Sequence, residues 1–254
     1  MPSPVSDAVL PKGLEITWLG HSAFRIRTPA GKRILIDPWV QNNPACPPER
    51  KDVGPIDLML VTHGHFDHIA DAVPIAKSTG CRVVGIFELT AYLTGKGGVA
   101  ADQVQPMNKG GTLRFDDLLL SVTMVHADHS CGIQDGDQIL YGGEAVGFVV
   151  TLDDGFAFYH AGDTAVFSDM ALIAELYRPQ LAFLPVGDRF VMSPREAAKA
   201  VSLLSGVRAV VPMHFGTFPL LTGTPEAFRA ALVERGVAEG VEVISMAPGE
   251  TRVG

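Results

Sequence analysis

The chain has 254 residues, a formal charge of −8 at pH 7, a pI near 5.4 and 47% hydrophobic residues, enough apolar material for a sizeable globular core in one large or two small domains. The acidic balance and the absence of any basic run exclude long nucleic acid as an expected partner, because backbone binders cluster Lys and Arg. Cys46, Cys81 and Cys131 are an odd number at wide spacing, which fits neither a disulfide framework nor a CxxC zinc site and points to a reducing, cytoplasmic setting.

In chain order, MPSPVSDAVLPKG lacks the basic patch and apolar stretch of a secretory signal, and no later run approaches the length of a membrane span. LEITWL (14–19), AFRIRT (23–28) and RILID (33–37), separated by GHS and PAGK, predict antiparallel strands with tight turns. QNNPACPPERKDVG (41–54) reads as a loop. DLMLVT (57–62) predicts a buried strand, and HIADAVPIAK, soon after it, a helix. RVVGI (82–86), DLLLSVTMV (117–125), GFVVTL (147–152), FAFYH (156–160), QLAFLPV (180–186), AVVPM (209–213) and VEVISM (241–246) predict further strands. Ser193-Pro194-Arg195-Glu196 carries the N-cap, first-turn proline and capping-box glutamate of a helix start; Thr224-Pro225-Glu226 begins another helix, closed by Gly236. Alternating strands and helices in both halves predict an α/β protein.

Four of the strand-like runs finish on residues that bind metals. LMLVT runs into His63-Gly64-His65, LLLSVTMV into His126, FAFYH into Ala161-Gly162-Asp163, and AVVPM into His214. Sites in α/β sheets gather at the carboxyl ends of strands, so these residues are expected to meet along one sheet edge. Imidazole with carboxylate suits zinc, manganese, nickel or iron, whereas calcium and magnesium prefer shells of oxygen. His63, His65 and His126 make one set of three, and Asp67, His68 and His214 another, with Asp163 left to bridge. A single open tetrahedral ion needs only three protein ligands, so the expectation is two divalent transition-metal ions, zinc foremost, sharing a carboxylate. Asp67 is expected both to ligate and to orient the attacking hydroxide, and Asp37 to hold the far nitrogen of a ligating imidazole.

HGHFDH, His126, Asp163 within HAGDT and His214 within VPMHF resemble, in order, the HxHxDH…H…D…H ligand series of the metallo-β-lactamase superfamily. TWLGHSAF, ILIDP, FLPVGD and VPMHFGTFP are most similar to its uncharacterised metal-dependent hydrolases related to L-ascorbate-6-phosphate lactonase. The resemblance spans nearly the whole chain. It implies a four-layer αββα sandwich, a single domain over 1–254 built from two αβ halves, with the metals at one end. It also implies hydrolysis of a small ester, lactone or phosphodiester by a hydroxide bridging two metal ions.

Within HADH the resemblance and the strand end both favour His126 over His129, while His129 and His160 are open between structural and supporting roles. His21 and Asp188 are either turn residues or groups that face the substrate or hold a ligand. Cys131 is expected to be a small buried hydrophobe rather than a ligand. The alternative function is a non-hydrolytic metal protein, an iron redox enzyme or a catalytically silent metal-binding component. Iron redox relatives in the superfamily carry an acidic residue where this chain has His65, which favours hydrolysis. The expected partner is a small-molecule substrate, with a homo-oligomer compatible and acyl and phosphoryl chemistry both open. Pocket segments are expected at the His21 turn, the 41–54 loop and Lys109-Gly110-Gly111.

Overall fold

The apolar runs of the N-terminal half become β1 (Glu15–Gly20), β2 (Ala23–Arg27), β3 (Arg33–Ile36), β4 (Leu58–Leu60), β5 (Arg82–Ile86) and β6 (Val104–Met107) in a computed structural model that describes residues 9–254. The reading of a missing signal at residues 1–8 lies outside the described residues. Next come β7 (Thr112–Phe115), β8 (Leu120–His126), a separate hairpin of β9 (Gly132–Asp135) and β10 (Gln138–Tyr141), then β11 (Val146–Leu152), β12 (Ala157–His160), β13 (Leu181–Pro185), β14 (Ala209–Met213) and β15 (Glu242–Val243). β16 (Thr251–Val253) returns to pair with β1.

Two seven-stranded mixed sheets result, ordered β16-β1-β2-β3-β4-β5-β6 and β15-β14-β13-β12-β11-β8-β7. Each is antiparallel at one end and parallel at the other. β3 to β6 run parallel, as do β12 to β15.

Strands covered on both faces need apolar residues at every position, which is why LAFLP and AVVPM show no polar alternation. On β13, Leu181 and Phe183 join the core shared by both sheets, while Ala182 and Leu184 join a second core against helices. Phe24 of β2 meets Phe183 of β13 edge to face, 4.8 Å between centroids, across the middle of the sandwich.

The helices are α1 (Phe66–Ile69), α2 (Ala72–Thr79), α3 (Phe87–Gly95), α4 (Met170–Tyr177), α5 (Pro194–Leu203) and α6 (Pro225–Arg235). Buried residues of α2 and α3 join the shared core, and those of α4, α5 and α6 cover the second sheet's other face, completing an αββα arrangement. Ser193 accepts from the Glu196 amide at 3.3 Å and donates its own amide to that carboxylate at 2.8 Å, the reciprocal cap its sequence specifies. No helix among the described residues is long and apolar enough to cross a membrane.

The single helix expected from HIADAVPIAK is two. The Asp71 amide bonds to the Pro38 carbonyl at 2.9 Å instead of continuing the first turn, and the Asp71 carboxylate accepts from the amides of Val40 and Gln41 at 2.6 and 2.9 Å. This break ties α1 to the loop after β3. The β9–β10 hairpin, unforeseen in the sequence reading, turns at Gly136, whose φ of 58° suits a residue without a Cβ.

Candidate metal centre

The site lies where β3, β4, β12 and β14 end, together with the turns after β1 and β8. After β4 the backbone passes through His63 and Gly64 before His65 starts α1, placing Asp67 and His68 on its first turn. Gly64 is required by packing: a Cβ there would stand 2.5 Å from the side chain of Ile133 on the hairpin.

Asp163 is the hub. Its Oδ2 lies 3.0 Å from His214 Nε2, 3.3 Å from His68 Nε2, 3.8 Å from His129 Nε2 and 3.9 Å from His63 Nε2. To one side stand His63, His65 and His129, with His63 Nε2 3.0 Å from His65 Nδ1. To the other stand Asp67, His68 and His214, joined by His21. Within each set the potential ligand atoms fall inside 4.8 Å of one another.

The imidazoles are oriented from behind. Asp37 accepts the Thr62 amide at 2.8 Å on one oxygen and, on the other, the Thr62 hydroxyl and His68 Nδ1–H, both at 2.8 Å. The Thr62 hydroxyl proton is thereby used, so its oxygen accepts from His63 Nδ1 at 3.0 Å. One buried carboxylate thus fixes two tautomers and leaves the Nε2 of both His63 and His68 facing Asp163. Replacing Asp37 by Asn keeps its size but sets an amide N–H against an imidazole or hydroxyl donor. We expect metal affinity and turnover to fall about 10- to 100-fold, measured by metal titration and steady-state kinetics, and a change below twofold would contradict the relay.

His21 supports the opposite side. Its Nε2 lies 3.0 Å from Asp67 Oδ2 and its Nδ1 3.0 Å from the Thr217 hydroxyl. Burial, with His214 nearby, lowers its pKa to about 4, so the neutral ring carries one proton. Burial would raise Asp67, but the hydrogen bond from His21 and the charge of His68 outweigh it and hold the carboxyl at about 2. The shared proton therefore sits on His21 Nε2 and is donated to Asp67, which makes His21 a positioning residue. His21, Asp37 and His214 all have left-handed backbones, with φ of 58°, 48° and 56°. Such non-glycine conformations cost energy and gather at functional sites.

The donor chemistry fits transition-metal ions. Burial keeps His63 well below the usual imidazole value, and His65 and His129 are lowered for the same reason, so these rings offer neutral lone pairs. Burial opposes charge on His68, yet Asp163 and Asp37 on its two sides hold its proton well above the ordinary range. Burial likewise opposes charge on Asp163, which His214 and His68 overcome. A positive charge is stable between these carboxylates. His68 Nε2 and Asp163 Oδ1 are buried without a hydrogen-bond partner, an unfavourable arrangement for polar atoms that cations would relieve.

Six of the seven residues expected as ligands, His63, His65, Asp67, His68, Asp163 and His214, come together; His126 does not. His126 is still paired with Val146 in the β8–β11 ladder, so the sheet directs its side chain, which is exposed beside Phe167 at 4.9 Å between ring centroids. His129 takes the place expected of it. The chain has by then left the sheet and is pinned across the Asp163 loop, by Asp128 N–H to the Thr164 hydroxyl and Ala165 N–H to the Asp128 carbonyl, both 3.0 Å.

Asp188 also stands apart. It is exposed, has a φ of 67° and accepts the Arg189 amide at 2.6 Å, so it shapes its own turn. Its neighbour Gly187 matters more for the site, because a Cβ there would lie 1.9 Å from the His214 carbonyl oxygen. Cys131 is a buried thiol, pushed up to about 11 by burial, that donates to the Gly142 carbonyl at 3.1 Å and accepts the Gly64 amide at 3.3 Å. His160 is buried below the site, accepting the Gly162 amide at 3.3 Å. Thr62 and Thr217 were missed because a lone threonine carries no spacing signal.

Two mixed sheets enclosed by helices, with a histidine and aspartate cluster at one end, define the class of metallohydrolases with the metallo-β-lactamase fold. Residues 32–215 match the Beta-lactamase superfamily domain. UPF0173 metal-dependent hydrolases of Koribacter versatilis and Rubrobacter xylanophilus are 56% and 54% identical over 94% of this chain, covering 98% and 96% of their own lengths. The structure of Igni18, a metallo hydrolase from Ignicoccus hospitalis, superposes with a TM-score of 0.81 at 36% identity, over 94% of this chain and 97% of that one. The chain belongs to the beta-lactamase superfamily and, within it, to the UPF0173 metal-dependent hydrolases.

Proposed function

We propose that the protein is a binuclear hydrolase that cleaves a small ester, lactone or phosphodiester. The observation that carries this reading is the position of Asp163 Oδ2 among four imidazole nitrogens, with a three-residue donor set on either side. His63, His65 and His129 would hold one ion, Asp67, His68 and His214 the other, and Asp163 would serve both. Such ions supply Lewis acidity and lower the pKa of water into the neutral range.

The protein's own groups supply the positioning. Asp67 lines the cavity as a carboxylate and can accept a hydrogen bond from the attacking water, while His21 keeps its other contact fixed. His65, with Nδ1 toward His63 and Nε2 3.3 Å from the Ser130 hydroxyl, completes the histidine set of that half.

Protein purified without added metal should contain about two divalent ions per chain, a stoichiometry that two open sites require. It should hydrolyse members of a panel of p-nitrophenyl esters, lactones and bis-p-nitrophenyl phosphate, and lose that activity on chelation. One iron per chain with oxygen consumption, or full activity after complete chelation, would reject the proposal.

A further inference from the structure

The cavity above the cluster has a volume of about 410 Å³ and two unlike parts. Its floor is His65, Asp67, His129, Asp163 and His214. Its walls are Phe66, Ile139, Phe190, Phe218 and Leu221, and no Lys or Arg lines it. Ser130 and Gln134 are the wall's neutral polar side chains.

The wall is assembled from four separate segments. Phe66 opens α1, Ile139 belongs to the β9–β10 hairpin, Phe190 follows β13, and Phe218 and Leu221 follow β14. Phe66 and Phe190 are each 55% exposed and Ile139 is 75% exposed. Large apolar side chains held in water around one opening mark a binding surface. Part of the wall is packed against the buried Trp39, which meets Phe66 edge to face at 5.6 Å and stacks on Phe218 at 5.8 Å.

We propose that the substrate bears an uncharged apolar group, an alkyl chain or aromatic ring, that fills this wall while the scissile bond sits over the cluster. This rests on the hydrolase reading and narrows it. A second phosphate, carboxylate or polyhydroxylated sugar would enter a lining that holds no cation and has only Ser130 and Gln134 as polar side chains to donate hydrogen bonds to it, at a desolvation cost that the lining does not offset. The Arg189 guanidinium lies outside it, over the Phe190 ring at 5.5 Å from the centroid. Each methylene placed against the aromatic rings gains the transfer energy of burial.

The test uses the metal-loaded protein and two probe series. Calorimetry with straight-chain alkyl hydroxamic acids should show affinity rising about fourfold per added methylene up to the size of the cavity, and kcat/KM for p-nitrophenyl alkanoates should rise with chain length in parallel. In Phe66→Ala and Phe218→Ala that slope should flatten, and a hydroxamate ending in carboxylate or phosphonate should bind more weakly than its methyl-ended counterpart. If the hydroxamate slope holds but no ester, lactone or phosphodiester is turned over, the apolar subsite stands and the hydrolase reading fails. If esters are turned over with a flat slope, or charged-end hydroxamates bind as tightly, the apolar assignment is overturned and the hydrolase reading stands. It is also overturned if the two alanine variants alter only the oligomeric state.

Discussion

His129→Ala is expected to remove one bound ion and to lower kcat/KM by on the order of 10²-fold or more, while His126→Ala, three positions earlier, leaves both within about twofold. Losing a group that only supports a ligating imidazole costs about 10- to 100-fold, so losing a ligand should reach or exceed the top of that range. An exposed side chain outside the cluster changes little. His129 Nε2 faces Asp163 at 3.8 Å, whereas His126 lies against Phe167 on the surface. Metal content and turnover of the two variants, compared side by side with circular dichroism as the control for folding, decide the matter. Equal losses, or a larger loss in His126→Ala, would place the third histidine of that set wrongly.

The second large effect is expected at Asp163. Asp163→Asn preserves shape but cannot supply negative charge to both halves of the cluster, so metal content should fall toward zero and kcat/KM by roughly 10³-fold or more. Thermal unfolding distinguishes this from general disruption. Excess zinc should raise the Tm of the parent protein, because a ligand that binds only the folded state stabilises it. It should leave the Tm of the variant nearly unchanged. Retention of two ions per chain in Asp163→Asn would contradict the hub position.

The two predictions turn on different kinds of information. Asp163 and His214 are legible in the sequence because each follows a short, mainly apolar run, FAFYH or AVVPM, that reads as a buried strand, and residues just beyond such strands gather at the sheet's carboxyl edge. HGHFDH is legible for the same reason, with the added constraint that three imidazoles and a carboxylate in six residues leave few roles other than ligation. Asp37 was identified as the group behind an imidazole, but its reach through the Thr62 hydroxyl to a second imidazole could not be read from a single threonine.

The sequence by itself determined the α/β class, the sheet edge at which the site forms, and the residue types brought there, since these follow from apolar periodicity and from the chemistry of imidazole and carboxylate; the four-layer arrangement was implied by the family resemblance. Only the tertiary structure decided between His126 and His129, turned Asp188 away, set His21 against Asp67 and raised an aromatic wall above the cluster. Within a strand the ladder dictates where a side chain points, but beyond its last pair the direction depends on what the loop is tied to. Here the tie is the Thr164 hydroxyl, 36 residues further along the chain and adjacent only once the second sheet has formed. The wall was hidden for a similar reason. Phe66, Ile139, Phe190 and Phe218 share no spacing in the sequence, and nothing but the folding of four segments to one opening makes them a surface.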